Sequence, residues 1–144
     1  MGKPQRQEGL SDCSRGVASD AIDGEINYVP SAVKNDWYVE IDGVQIGDVA
    51  VKLEEKHIGA LDTGTTGIYA PNAVLDAIFS TVQGAVFGGH GWSFPCSAPN
   101  LNLTLTIGGK PYPLYWGDLI WRSEGDVCYG NLYANGGLTS NLQG

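Results

Sequence analysis

Apolar residues recur at every second position along much of the chain. Trp37, Val39 and Ile41 alternate with Tyr38, Glu40 and Asp42, and Val44 and Ile46 follow Asp42-Gly43. Val49, Val51 and Leu53 alternate with Ala50 and Lys52. A period of two marks a strand with one face buried, so these stretches predict half-buried strands with a turn or bulge at Asp42-Gly43. Leu101, Leu103, Leu105 and Ile107 form the cleanest alternation. Gly108-Gly109 then predicts a hairpin turn, with its return at residues 112–116. Shorter strands are expected at 25–29, closed by Pro30, and at 129–133.

One stretch follows another rhythm. Val74, Leu75, Ile78, Phe79 and Val82 fall on one face of a helix. Pro71 suits its first turn and Gly84 its end. A short helical turn is expected at 118–121. Residues 87–92, rich in glycine, predict a flexible loop. Residues 1–22 predict a poorly ordered polar leader, 23–134 the folded unit and 135–144 a polar tail. No internal repeat is evident.

Composition narrows the class. The chain has 144 residues, enough for one domain with a real core. Its 21 glycines and many aromatics favour short strands and turns over a helical bundle. The expected fold class is all-β, with one or two short helices. A formal charge of −8 without a basic run argues against nucleic acid or an anionic membrane as partner. No apolar run is long enough to span a bilayer, and the polar first residues lack the apolar core of a signal peptide.

The chemistry concentrates at Ile58-Gly59-Ala60-Leu61-Asp62-Thr63-Gly64-Thr65-Thr66, followed by Gly67-Ile68-Tyr69-Ala70-Pro71. A short apolar run delivers one carboxylate into a tight turn. Gly64 lets the turn close and a backbone approach, while hydroxyls and turn amides can stabilise the charged form. Asp-Thr-Gly by itself is equally an ordinary β-turn; the flanks favour chemistry. His57 and His90 are not spaced with other ligands as a metal site requires, and no metal or cofactor is expected. Gly88-Gly89-His90-Gly91 lacks the Lys-Ser/Thr of a phosphate loop. Asp118, Glu124 and Asp126 predict solvated charges.

The Asp62 stretch resembles the active-site turn in the carboxy-terminal lobe of a pepsin-like aspartic protease. Segments 24–30, 37–41, 44–47, 94–96 and 101–112, and Cys128-Tyr129-Gly130, resemble the rest of that lobe in order, over roughly residues 24–133. The resemblance implies a single, incomplete lobe of the acid-protease β-barrel fold. It implies hydrolysis of peptide bonds by a water held between two aspartates, one of them Asp62. Thr63 would tie two such loops together, and Gly64, Thr65 and Thr66 would meet the substrate backbone. The second carboxylate would come from a complementary lobe or a second copy of the chain. Cys96 and Cys128 would close a disulfide stabilising the lobe by about 3 kcal/mol; the alternative is two reduced, buried cysteines. Cys13 is left free or pairs with another chain. The resemblance implies an extracellular or vacuolar location, and Asn102-Leu103-Thr104 fits the N-glycosylation pattern.

Two features depart from the family pattern. No second Asp-Thr-Gly or Asp-Ser-Gly occurs. The apolar-apolar-Gly segment expected behind Asp62 has only Leu142-Gln143-Gly144 as its nearest counterpart, with a polar residue in an apolar position. A catalytically inactive fragment or binding module of the same ancestry is therefore the alternative function. A β-rich carbohydrate-binding domain using Trp92, Trp116 and Trp121 is a third, more remote one.

Overall fold

The computed structural model describes residues 24–53 and 55–135. The expected leader, Cys13, Glu54 and the segment from Gly136 onward, including Leu142-Gln143-Gly144, lie outside the described residues. Among the described residues the fold is mainly β, with one α-helix and one 3-10 turn, as the alternation predicts.

A four-stranded antiparallel sheet takes β2 (Gly43–Ile46), β3 (Val49–Val51), β8 (Leu103–Ile107) and β9 (Lys110–Pro113), in the order β3-β2-β8-β9. The β8–β9 hairpin turns through Gly108 and Gly109, with φ of 58° and 73°. Two successive positive φ values are what a two-residue hairpin turn needs. A Cβ on Gly108 would also sit 2.2 Å from Val29 Cγ1. The return strand is thus Lys110–Pro113, earlier than residues 112–116.

A second antiparallel sheet takes β6 (Val86–Gly88), β7 (Gly91–Pro95), β10 (Ile120–Glu124) and β11 (Val127–Gly130), ordered β10-β11-β7-β6. Here the expectation of a loop at 87–92 is overturned. Gly88 pairs with Gly91, whose φ of 91° closes a tight hairpin. Phe87 lies opposite Trp92, and Trp92 stacks on Phe79 at 4.6 Å. The short strands conceal their period among the glycines.

Two smaller pairs complete the fold. β1 (Tyr38–Ile41) runs antiparallel to β4 (His57–Ala60). β5 (Ile68–Ala70) runs parallel to β12 (Leu132–Ala134). The single strand expected at 129–133 is therefore two, β11 and β12, broken at Asn131 so that each joins a different sheet. The helical turn spans Trp116–Leu119, earlier than expected, and β10 follows directly.

The α-helix, α1 (Asn72–Phe79), buries Val74, Leu75, Ile78 and Phe79. Pro71 occupies the N-cap; its carbonyl accepts from the amides of Val74 and Leu75. The helix ends before Val82, yet Val82 stays buried through a further turn closed by its amide on Phe79 O. Around the stripe gather Val44, Phe94, Leu101, Leu103, Leu119, Cys128 and Leu132 in one core. Cys96 and Cys128 form the disulfide, 32 residues apart.

Two strand-face expectations fail at the margins. Residues 25–29 form no strand. Side chains hold the segment instead: Asn27 Nδ2 donates to Ile107 O at 2.9 Å and Tyr112 Oη at 3.0 Å, and Lys110 Nζ donates to Glu25 O at 3.1 Å. Trp37, in phase with Val39 and Ile41, precedes β1 and is 81 % exposed, and Val49 on the edge strand is 68 % exposed. Periodicity shows which residues share a face, not whether anything covers it.

Candidate active site

Asp62 stands two residues beyond the end of β4. That strand is fixed by its register with β1, in which Val39 faces Gly59 and Tyr38 faces Ala60. The ladder runs on as the Leu61 amide donates to Trp37 O at 2.8 Å. Gly59 suits this close pairing, since a Cβ there would come 3.0 Å from Ile41 Cδ1. The aspartate thus leaves a paired strand at a set position and enters a turn exposed from Leu61 to Thr66.

The turn grips the carboxylate through both oxygens. The Gly64 amide donates to Oδ1 at 2.8 Å, and the Thr65 hydroxyl donates to Oδ2 at 2.6 Å. Hydrogen bonds to the charged form favour it. The Thr65 hydroxyl first, and the Gly64 amide second, hold the Asp62 carboxyl below its ordinary value of 3.8, against a small opposing effect of desolvation. Neither partner is a second acid. Thr63 and Thr66 are exposed, and among the described residues neither hydroxyl is engaged.

Behind the turn lies a contact that sequence reasoning missed. Asn131 Nδ2 donates to Thr66 O at 2.9 Å and to Asp118 O at 3.1 Å. Its backbone bridges the same pieces: the Asn131 amide donates to Leu119 O at 2.8 Å, and Asn131 O accepts from the Ile68 amide at 3.0 Å. Asn131 therefore ties the far side of the Asp62 turn to the 3-10 turn. Its place after Cys128-Tyr129-Gly130 carries no local signal of that role. Directly after it, β12 runs beside β5. Gly67 sits beneath this pair; a Cβ there would lie 2.5 Å from Tyr133 Cε2 and 2.9 Å from Asn131 Oδ1. Tyr69 is exposed and meets Tyr133 at 5.4 Å.

Beside the turn is an open recess of about 210 Å3, lined by Thr65, Thr66, Ile68, Tyr115 and Asp118 among others. On β4 and next to it, Trp37, Ile58 and Leu61 present apolar surface to solvent. Other candidate groups lie elsewhere. His57 is on β4, and His90 packs edge-on to Tyr129 at 6.4 Å. Glu124 lies on β10, where it pairs with Arg122 at 3.0 Å and accepts from Tyr129 Oη. Among the described residues no three acids, cysteines or histidines gather as a metal site, and no helix is long and apolar enough to cross a membrane.

Residues 12–144 match the family model described as eukaryotic aspartyl protease. The chain is 34 % identical over 91 residues to aspartic protease pepA of Leptosphaeria maculans, covering 60 % of the chain and 22 % of that protein. It is 29 % identical over 122 residues to pregnancy-associated glycoprotein 1 of Bos taurus, covering 83 % of the chain and 32 % of that protein. Cathepsin E of Cavia porcellus is 32 % identical over 93 residues, 63 % of the chain and 24 % of the relative. The chain spans about a third or less of the length of these relatives.

Proposed function

This chain belongs to the eukaryotic aspartyl protease family, and on that premise we propose that it is one lobe of an aspartic-type endopeptidase, with Asp62 as one of two catalytic aspartates. The observation that carries the proposal is the grip on Asp62: a carboxylate at the end of a paired strand, exposed, its two oxygens held by Gly64 and Thr65. Peptide hydrolysis by this chemistry needs one carboxylate to take a proton from water and another to protonate the carbonyl. Two acids at hydrogen-bonding distance share one proton, because both cannot ionise cheaply. Donors on both Asp62 oxygens favour its ionised form, which suits it to the role of base opposite a facing acid from a different lobe; two copies of Asp62 would be equivalent and share the proton alike. The pair titrates as a unit.

That facing acid belongs to a complementary lobe or to Asp62 of a second copy across a two-fold axis. Exposed Trp37, Ile58 and Leu61 beside the turn offer apolar surface for such a partner. The substrate is a peptide or protein, its backbone meeting Gly64, Thr65 and Thr66. The same absence of an acid among Asp62's hydrogen-bond partners supports a second reading, an inactive binding module of the family.

The test is cleavage of a denatured protein at acid pH by the chain alone and by the chain mixed with a complementary lobe. Pepstatin-sensitive cleavage that Asp62→Asn abolishes is the expected result. Dependence on the added lobe, or on the square of the chain concentration, identifies the source of the second acid. An inert assembly that still captures a protein partner, unaffected by Asp62→Asn, selects the binding module.

A further inference from the structure

We propose that Asn102 is an acceptor for an N-linked glycan, and that the glycan stands beside the β2–β3 turn of the β3-β2-β8-β9 sheet. The tripeptide Asn102-Leu103-Thr104 has the required hydroxyl two residues on and no intervening proline. No other asparagine in the chain has Ser or Thr at that position. Asn27 and Asn131, moreover, spend their side-chain amides on internal bonds.

The fold leaves Asn102 available. Leu101 and Leu103 on either side are buried in the core and turn Asn102 outward into solvent. Its φ of 46° lies in the left-handed region, which asparagine tolerates better than most residues. The backbone there is held at both ends: the Asn102 amide donates to Asn100 Oδ1 at 3.0 Å, and Asn102 O accepts from the Gly47 amide at 3.2 Å. Among the described residues the side-chain amide itself has no partner, so a substituent on Nδ2 displaces nothing. The Cys96–Cys128 disulfide is chemistry of an oxidising compartment, where glycan transfer also takes place.

The co-reactant is a lipid pyrophosphate-linked oligosaccharide. Nδ2 of Asn102 forms the bond to C1 of the first sugar, the C1–O bond to the lipid pyrophosphate breaks, and the amide proton leaves with that group. The contact with Gly47 puts Asn102 beside the β2–β3 turn, which leads to exposed Val49. A glycan there shields that apolar surface from other chains.

The full chain, secreted from eukaryotic cells behind a cleavable signal, is treated with peptide-N-glycosidase and mapped by peptide mass spectrometry. The expected result is loss of one glycan mass, with Asn102 converted to Asp. Thr104→Ser keeps the glycan, while Thr104→Ala and Asn102→Gln lose it. Secreted protein unaffected by the enzyme, or a glycan that survives Thr104→Ala, overturns the assignment. Native deglycosylation is expected to raise light scattering from self-association; unchanged scattering overturns the shielding role.

Discussion

The surroundings of α1 and those of Asp62 differ in almost every physical respect. Around the helix, Leu75, Ile78, Phe79 and Phe94 are sealed from water, Phe79 stacks on Trp92, and the disulfide fixes the adjoining sheet. Around Asp62, every residue from Leu61 to Thr66 is exposed, and order comes from hydrogen bonds within the turn and from Asn131 behind it. Stability is concentrated in the first region, and groups able to do chemistry in the second. Burying Asp62 as deeply as Phe79 would cost several kcal/mol unless another charge compensated it. The turn therefore stays open to solvent.

If the two regions divide the labour in this way, substitutions should affect one property and spare the other. The largest effect is expected from Asp62→Asn in the assembled enzyme: a fall in cleavage rate of about a thousandfold, with the melting temperature of the chain unchanged. A large loss of melting temperature would show the turn to be structural. Phe79→Ala is the converse, with a stability loss of about 3–5 kcal/mol in denaturant unfolding. Gly130 approaches the Phe79 ring closely, with 3.1 Å from a built Cβ to Cζ, leaving little slack for collapse of the cavity.

Breaking the disulfide with Cys96→Ser and Cys128→Ser should lower stability by about 3 kcal/mol, read from the midpoint of unfolding under oxidising conditions. Gly67→Ala crosses the boundary between the regions. The added methyl meets Tyr133 and Asn131, so about 1–3 kcal/mol of stability is lost, and the amide resonances of Thr65 and Thr66 should shift. Unshifted resonances would show the turn to be independent of β12.

The smallest effect sharpens the electrostatics. The folded Asp62 value lies below 3.8. The charged form and its two hydrogen bonds are thus complete above 3.8 and lost only as pH falls through the lower folded value. Thr65→Val removes the larger of the two causes and should move the carboxyl resonance titration upward toward 3.8. No movement would assign the shift to Gly64 alone.

Much of this was legible in the chain. The alternation at 101–107 and the paired glycines after it specify a hairpin by local geometry alone. The stripe from Val74 to Val82 specifies a buried helical face. The Asp62 turn was equally plain, because a carboxylate flanked by Gly64 and Thr65 makes its hydrogen bonds within three residues. The hairpin at 86–95 was hidden because its short strands show no clear period among the glycines. The rest was hidden by distance along the chain. The break between β11 and β12 depends on β5 offering a parallel edge. Asn131 acts on Thr66 across 65 residues.

By itself, then, the sequence determined the mainly β class, the helix and the turn that presents Asp62, since each rests on backbone preferences and contacts a few residues apart. Only the tertiary structure decided which strands meet, that Asn131 and Gly67 hold the turn from behind, and that Trp37 and Leu61 beside it face water. Those outcomes depend on which distant surfaces exclude solvent from one another, and a local pattern does not encode that choice.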